Sequence, residues 1–229
     1  MNAIILAAGL GSRLKEITQQ THKALLPING KPNIERIIEY LQQAGINDVY
    51  IVTGYLKEQF EYLKDKYGCK LIYNKFYKEY NNIYSFYLIS QYFSNSYVID
   101  ADVVLSKNIF LNKLTTSAYF LITRPKSLNN EWIPQIDKNR KIHHINISNE
   151  DKPSLLGISY WQDSDAKKIL DDLDDYINNE TLKNASLYWD NIPMKILDKL
   201  NVYSYILQDS DAFEIDRKED YQFVLQNFK

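Results

Sequence analysis

Residues 2–13 have the sequence NAIILAAGLGSR, and this stretch decides the fold. Residues 2–8 form a short, largely apolar run that ends at Gly9, which is typical of a buried strand. Glycines directly after such a strand let backbone N–H groups approach an anion, and Arg13 adds a forked cation. The stretch therefore predicts a buried strand followed by a loop of the kind that cradles phosphate.

The glycine loop, residues 9–13, differs from two common phosphate-binding motifs. Leu14 stands where a dinucleotide-binding fingerprint has its third glycine or an alanine. No Lys-Ser or Lys-Thr pair follows the glycines, so the loop is not a Walker A motif. An ordinary tight turn remains an alternative for Gly9 and Gly11 taken alone.

The following residues alternate between helix and strand patterns. A long polar loop over 9–31 is followed by Pro32 and a helix that stops at Gly45. Further runs predict, in order, a strand at Val49–Thr53, a helix at Lys57–Tyr67 and a strand at Cys69–Tyr73. This alternation predicts a parallel sheet with helices on its faces.

The rest of the chain continues with shorter elements and shows neither repeats nor a linker. Helices are predicted at Asn82–Phe93, Asp163–Asn178, 191–200 and 219–228, and strands at Tyr97–Ile99, Ala118–Thr123, Trp132–Ile136, Lys141–Ile147, Leu155–Trp161 and Val202–Leu207. We therefore expect one α/β domain over residues 1–229, with a mixed sheet.

Composition excludes several classes of protein. The chain has 229 residues, a net charge of −2 and no basic stripe, which argues against a nucleic-acid binder. No run approaches the roughly 20 apolar residues of a membrane span, and the N-terminus lacks a basic leader, so we expect a cytoplasmic protein without membrane insertion. Cys69 is the one cysteine, so no intramolecular disulfide can form.

Two pairs of carboxylates and one lysine are candidates for nucleotide chemistry. Asp100 and Asp102 follow a predicted strand, and on a continuing strand they would share a face, as would Glu214 and Asp216. Mg²⁺ needs only one or two carboxylates plus substrate phosphates. Lys23 borders an apolar run inside the long polar loop. Solvated turns are the alternative interpretation of either acidic pair.

Aromatic residues stand beside carboxylates at two places. Trp132 follows Glu131, and Trp189 lies between Tyr188 and Asp190. Aromatic faces beside a negative charge are what a quaternary ammonium pocket requires. Simple core packing is the alternative for each tryptophan.

These residues together resemble a known family. The segments 6–14, 23–25 and 30–32 are similar to the N-terminal signature of the nucleoside-diphosphate-sugar pyrophosphorylase-like nucleotidyltransferases. A closer resemblance, to the bacterial CTP:phosphocholine cytidylyltransferases, extends over nearly the whole chain. The segments that carry it are 54–60, 80–82, 98–102, 130–132, 187–190 and 214–216.

The resemblance implies a Rossmann-like nucleotidyltransferase fold with a mixed, mostly parallel sheet flanked by helices. It implies a nucleotide-binding half, 1–110, and an acceptor-binding half, 111–229. It also implies the reaction of CTP with phosphocholine to give CDP-choline and pyrophosphate, which feeds phosphocholine decoration of bacterial surface glycans. The implied roles are catalysis for Arg13 and Lys23, nucleotide binding for Ala8, Gly9, Gly11 and Ser85, acceptor binding for Tyr80, Glu131, Trp132, Tyr188, Trp189 and Asp190, and Mg²⁺ binding for Asp102, Glu214 and Asp216.

The chain departs from the family pattern at two places. His22 precedes the loop lysine where the family usually has proline. The Glu-Lys-Pro motif of sugar-handling relatives has a superficial counterpart at residues 150–153, but only three residues separate Pro153 from Gly157, which counts against a sugar phosphate. Three alternatives stay open: a sugar-1-phosphate nucleotidyltransferase, a phosphoethanolamine or aminophosphonate nucleotidyltransferase, and a non-catalytic nucleotide-sensing protein on the same fold.

Overall fold

A seven-stranded sheet runs through the centre of the protein. The computed structural model describes residues 1–124 and 130–228. The strands of this described part are β1 Asn2–Ala7, β2 Pro27–Ile28, β3 Lys31–Pro32, β4 Val49–Thr53, β5 Lys70–Tyr73, β6 Ser96–Asp100, β7 Val103–Leu105, β8 Ser117–Ile122, β9 Glu131–Ile136, β10 Ile142–Ser148, β11 Ser154–Trp161, β12 Val202–Ile206 and β13 Ala212–Glu214. Its α-helices are α1 Asn33–Gln43, α2 Tyr62–Tyr67, α3 Asn82–Ile89, α4 Asp163–Leu173, α5 Asn179–Leu182, α6 Asn191–Lys195 and α7 Lys218–Asn227.

The strand order of the sheet is β12-β8-β11-β6-β1-β4-β5. β11 runs antiparallel to both of its neighbours, and every other pair in this sheet is parallel. This arrangement confirms the predicted mixed, mostly parallel sheet. One sheet thus contains strands from both predicted halves of the chain. The division into a nucleotide-binding half and an acceptor-binding half stays a prediction.

The first strand is apolar and buried from Ala3 to Ala7 because helices cover both faces of the sheet. Ala3, Ile5 and Ala7 enter the core that contains the buried face of α1. Ile4 and Leu6 enter the opposite core, which contains the apolar residues of α3 and α4. Successive side chains of a strand point to opposite faces, so a strand buried on both sides has no polar alternation.

The strand order reverses beside β1. The chain adds β4 and β5 on one side of β1 and later adds β6 on its other side. Open α/β sheets bind ligands outside the carboxyl ends of the strands at such a reversal. Gly9 follows β1, and Asp102 follows β6, so the topology brings these two loops to one place. Among the described residues, no helix combines the length and the apolar character that crossing a membrane requires.

Several elements differ from the sequence prediction. The loop over 9–31 is not irregular throughout, because it contains 3₁₀ turns at Ser12–Thr18 and Lys23–Leu25 and the β2–β3 pair. The predicted helices over 57–67, 82–93, 163–178 and 191–200 each contain a 3₁₀ segment and a shorter α-helix. β9 and β10 form a two-stranded sheet of their own instead of joining the central sheet. β7 and β13 were not predicted, since a three-residue strand is too short for a recognisable period.

Gly157 offers a test of the packing between β11 and β6. Its φ is +80°, and a Cβ there would lie 2.9 Å from Oδ2 of Asp100. We expect Gly157→Ala to lower the free energy of unfolding by about 1–2 kcal/mol for the left-handed backbone. The close contact adds about 1–3 kcal/mol. Urea denaturation measures the sum.

Gly45 provides the matched control for this substitution. Its φ is +81°, but a Cβ there has nothing within 4 Å. Gly45→Ala should therefore lose only the backbone contribution. Equal losses in the two variants would show that the contact with Asp100 adds nothing.

Candidate active site

All of the predicted site residues line one cavity of about 730 Å³ at the carboxyl edge of the sheet. They are Ala8, Gly9, Gly11, Arg13, Lys23, Tyr80, Ser85, Asp102, Glu131, Trp132, Tyr188, Trp189, Asp190, Glu214 and Asp216. Their proximity is a feature of the structure, whereas their individual roles stay predictions.

Gly11 allows the glycine loop to pass close to Lys23. Its φ of +61° lies in the left-handed region, which favours glycine. A Cβ at this position would lie 3.2 Å from Cγ2 of Thr18 and 3.6 Å from Cβ and Cδ of Lys23. The aliphatic stem of Lys23 therefore runs along the loop, and its ammonium group reaches the turn after β6.

Two cation–carboxylate pairs line the cavity near the glycine loop. Nζ of Lys23 lies 2.5 Å from Oδ2 of Asp102, and both side chains are 18% exposed. Nη1 of Arg13 lies 2.7 Å from Oδ2 of Asp216, and these side chains are 60% and 44% exposed. Burial alone would lower the pKa of Lys23, but the Asp102 carboxylate raises this pKa above its ordinary value. Lys23 is consequently charged at neutral pH.

The unpredicted pair of β7 and β13 brings the two acidic segments together. Glu214 of β13 lies opposite Val103 of β7, and the N–H of Ile215 donates to the carbonyl of Asp102 over 3.1 Å. This hydrogen bond brings the backbone of Asp102 next to Ile215, and Asp216 follows Ile215 in the chain. A strand pair this short would add little stability alone, but here it sets the geometry of the carboxylates.

The expected face-sharing of Asp100 and Asp102 on one strand is wrong. β6 ends at Asp100, and the chain turns through Ala101 and Asp102 before β7 begins. Both carboxylates line the cavity even so, because the turn directs the chain back along its edge. Burial, with the negative charge of Asp102 as the second cause, raises the pKa of Asp100 well above its ordinary value.

Arg124 is a cavity residue that the sequence analysis missed. Its Nη2 lies 2.6 Å from Oε2 of Glu214 and donates to the carbonyl of Leu155 over 2.8 Å. Its Nη1 lies 3.8 Å from Oε2 of Glu131. Arg124 lies two residues after β8 and directly follows the strand predicted at Ala118–Thr123, so a basic residue just past a buried strand was the available signal.

The carboxylates fit a hard divalent cation that takes part of its ligands from elsewhere. Burial raises the pKa of Glu214 to about 8, Arg124 opposes this, and the charges of Asp102 and Asp216 add to it. A cation among these groups would relieve their mutual repulsion. The described residues contain no group of three or more His, Cys, Asp or Glu able to hold an ion. Mg²⁺ is commonly bound by one or two carboxylates with phosphates and waters.

Aromatic side chains form another part of the cavity lining. Trp132 and Tyr188 are half-buried and meet edge to face with their ring centroids 5.6 Å apart. Trp189 is only 2% exposed and stacks on Phe86 at 4.7 Å, so most of its ring packs in the core. Trp132 and Tyr188 therefore present more ring surface to a ligand than Trp189 does.

Hydrogen bonds hold the segment that carries Tyr188 and Asp190. Asn82 accepts a bond of 2.9 Å from the N–H of Trp189, and Asn81 donates to the carbonyl of Ala185 over 2.7 Å. The hydroxyl of Tyr119 donates to Oδ1 of Asp190 over 2.9 Å. Burial raises the pKa of Asp190 to about 7, and the bond from Tyr119 opposes the rise.

The helix that begins at Asn82 also carries Ser85. This side chain is 2% exposed, and its hydroxyl oxygen accepts a hydrogen bond of 3.0 Å from Nδ2 of Asn74. Asn82 and Tyr119 were not predicted as site residues. The sequence around each of them does not indicate its hydrogen-bond partner, which lies far away in the chain. Tyr80, two residues before this helix begins, packs against the rings of Phe76 and Tyr84.

Comparisons with known proteins agree with this geometry. The MobA-like NTP transferase domain matches residues 3–174. A choline-phosphate cytidylyltransferase of Haemophilus influenzae is 54% identical over 226 residues, covering 99% of this chain and 97% of the relative. A 2-aminoethylphosphonate cytidylyltransferase of Lancefieldella rimae is 32% identical, covering 94% and 88%.

A solved structure is similar over the full chain. The CTP:phosphocholine cytidylyltransferase of Streptococcus pneumoniae superposes with a TM-score of 0.93 and 43% identity, covering 100% of this chain and 99% of that one. The shared sheet, the cavity at its carboxyl edge and these full-length matches lead to one conclusion: the chain belongs to the MobA-like NTP transferase family and is a nucleotidyltransferase.

Proposed function

We propose that the protein transfers the cytidylyl group of CTP to phosphocholine, giving CDP-choline and pyrophosphate. One observation carries this proposal: a single cavity is lined both by two cation–carboxylate pairs and by the Trp132–Tyr188 pair, with Glu131 next to Trp132 in the chain. The charged side suits a nucleoside triphosphate, and the aromatic side suits a quaternary ammonium group. The names of the Haemophilus influenzae and Streptococcus pneumoniae relatives support phosphocholine as the acceptor of a cytidylyl group.

The reaction requires positioning and charge compensation more than proton transfer. A phosphate oxygen of phosphocholine attacks the α-phosphorus of CTP, a new P–O bond forms, and the bond to the pyrophosphate oxygen breaks. The second pKa of a phosphomonoester is about 6, so the nucleophile is mostly dianionic at neutral pH without a general base. Lys23 and Arg13 compensate the charge of the meeting phosphates and fix their orientation.

We propose that Mg²⁺ binds to Asp102 and Asp216. It would supply charge neutralisation for the triphosphate. Glu214, which the resemblance also implied as a ligand, pairs with Arg124 just as Asp102 pairs with Lys23 and Asp216 with Arg13. We propose that Glu214 helps these two carboxylates to hold the cation and also orients Arg124 toward the cavity.

The trimethylammonium group of the acceptor would lie against Trp132 and Tyr188. Glu131 and Asp190 would offset its positive charge. The bond from Tyr119 favours the charged form of Asp190, which burial opposes. The neutral sugar of a sugar phosphate would offer no cation to the rings or to these carboxylates, whereas the ammonium group of an aminophosphonate would use the carboxylates alone.

Pyrophosphate release tests the substrate assignment. The assay combines CTP, UTP or dTTP with phosphocholine, phosphoethanolamine, 2-aminoethylphosphonate or glucose 1-phosphate, in Mg²⁺ or in excess EDTA. We expect turnover with CTP and phosphocholine, and its loss in EDTA. A preference for the aminophosphonate or the sugar phosphate would overturn the acceptor assignment. Release with no pair would favour the nucleotide-sensing alternative.

Lys23→Met tests the predicted role of the loop lysine. Loss of a preorganised cation at the reacting phosphates should lower kcat by a factor on the order of 10²–10³. Steady-state kinetics with CTP and phosphocholine measure the effect. Lys64→Met is the matched control, because Lys64 pairs with Glu61 on the surface. Full turnover by the Lys23 variant would exclude this role.

Trp132→Leu tests the aromatic side of the cavity. Loss of one desolvated cation–π contact, worth about 2 kcal/mol, should raise the KM for phosphocholine about 30-fold and leave the KM for CTP unchanged. The control is Tyr87→Leu, which removes an exposed aromatic ring of α3 that does not line the cavity. An unchanged KM for phosphocholine would place the ammonium group elsewhere.

A further inference from the structure

His22 is a buried titratable residue between the glycine loop and Lys23 that the proposed reaction does not use. It is 1% exposed and caps the 3₁₀ turn Lys23–Leu25. The N–H of Ala24 donates to Nδ1 of the ring over 3.1 Å, and Nε2 lies 3.1 Å from the carbonyl oxygen of Gly9. One ring thus contacts both the loop after β1 and the turn that begins with Lys23.

These two contacts determine which ring nitrogen carries the proton. A backbone N–H can only donate, so Nδ1 must be the unprotonated acceptor. Nε2 must then carry the hydrogen that it shares with the carbonyl of Gly9, because that oxygen can only accept. The ring is the neutral Nε2–H tautomer, and the opposite tautomer would lose both bonds.

Neighbouring residues keep the ring in this orientation. The backbone N–H of His22 donates to Oε1 of Gln59 over 2.9 Å, and Nε2 of Gln59 donates to the carbonyl of Gln20. The ring of Phe60 meets the imidazole edge to face, with the centroids 4.9 Å apart. His22 is therefore held from the segment after β4 while its own ring holds Gly9.

We propose that His22 is a positioning residue that sets the separation between the phosphate-binding glycine loop and Lys23 through the hydrogen bond from its Nε2 to Gly9. This inference rests on the proposed function, because it assumes that the loop and Lys23 act on one triphosphate. A displacement of about 1 Å between groups that stabilise one transition state can lower the rate of the reaction about 100-fold. A contact that fixes their spacing therefore affects the rate without touching substrate.

Charge does not disturb this link near neutral pH. Burial lowers the pKa of His22 to about 4, the bond to Gly9 opposes this, and Lys23 and Asp102 act in opposite directions. The ring therefore stays neutral where the enzyme is assayed. The associated stability is complete above the ordinary histidine pKa of about 6.5 and decreases as pH falls toward 4.

Two variants separate the ring contacts. In His22→Asn, the carboxamide oxygen can still accept from Ala24, but the side chain is too short to reach Gly9. In His22→Gln, the longer side chain can place its amide nitrogen near the position of Nε2 and donate to Gly9. We expect kcat to fall by about tenfold or more in His22→Asn, to recover within about threefold in His22→Gln, and the KM for the acceptor to stay unchanged in both.

Phe60→Leu is the control for a purely structural role. It removes the ring that packs on His22 and leaves both hydrogen bonds possible. We expect it to lower Tm without lowering kcat at a temperature where the protein is folded. Equal kcat in the two His22 variants, or a loss of kcat in Phe60→Leu that matches His22→Asn, would overturn the proposal.

A spectroscopic measurement separates this proposal from the proposed function. The kinetic assays of the His22 variants use whichever acceptor the wild-type protein turns over, so an incorrect acceptor assignment does not affect them. If the wild-type protein turns over no acceptor, that result contradicts the proposed function. Long-range ¹H–¹⁵N spectra of the imidazole report the protonated nitrogen without any substrate. A neutral Nε2–H ring at pH 7 is expected. A charged ring or an Nδ1–H tautomer would overturn the role of His22.

Discussion

The ion pair between Lys23 and Asp102 joins the two loops on which the site depends. The residues are 79 positions apart in the chain, and their atoms lie 2.5 Å apart. The pair can form only because β1 and β6 are neighbours in the sheet and both end at the same edge. Its partial burial lowers the local dielectric response, so the charges interact more strongly than an exposed pair would.

The rest of the charged side of the cavity is arranged around this pair. β7 and β13 bring Asp216 beside Asp102, and Arg124 engages Glu214 next to them. Each carboxylate would be costly to bury alone, and each has a cation or a hydrogen-bond donor nearby. The site thus alternates positive and negative groups, which suits a reaction between two phosphate esters that repel each other.

The aromatic side depends on a different constraint, which is rigid support from the core. Trp189 stacks on Phe86 and closes the apolar layer under the cavity, and its backbone N–H is held by Asn82. Tyr188, one residue earlier, is thereby directed to the cavity beside Trp132. Adjacent aromatic residues in the chain therefore have different positions, one in the core and one at the cavity.

Local pattern was enough for the fold class. The apolar run of β1 ends in Gly9 because a strand covered by helices on both faces needs no polar residues, and the alternation after it fixes a mostly parallel sheet. The residue types of the site were also recognisable in the chain, because the resemblance assigned them by motif. Tertiary structure alone decided how they pair. Arg13 and Asp216 are 203 residues apart, Arg124 and Glu214 are 90 apart, and β7 and β13 are too short to show a period. Such contacts depend on which strands lie side by side in the sheet. The spacing of residues in the sequence does not reveal the order of the strands when the partners are distant along the chain.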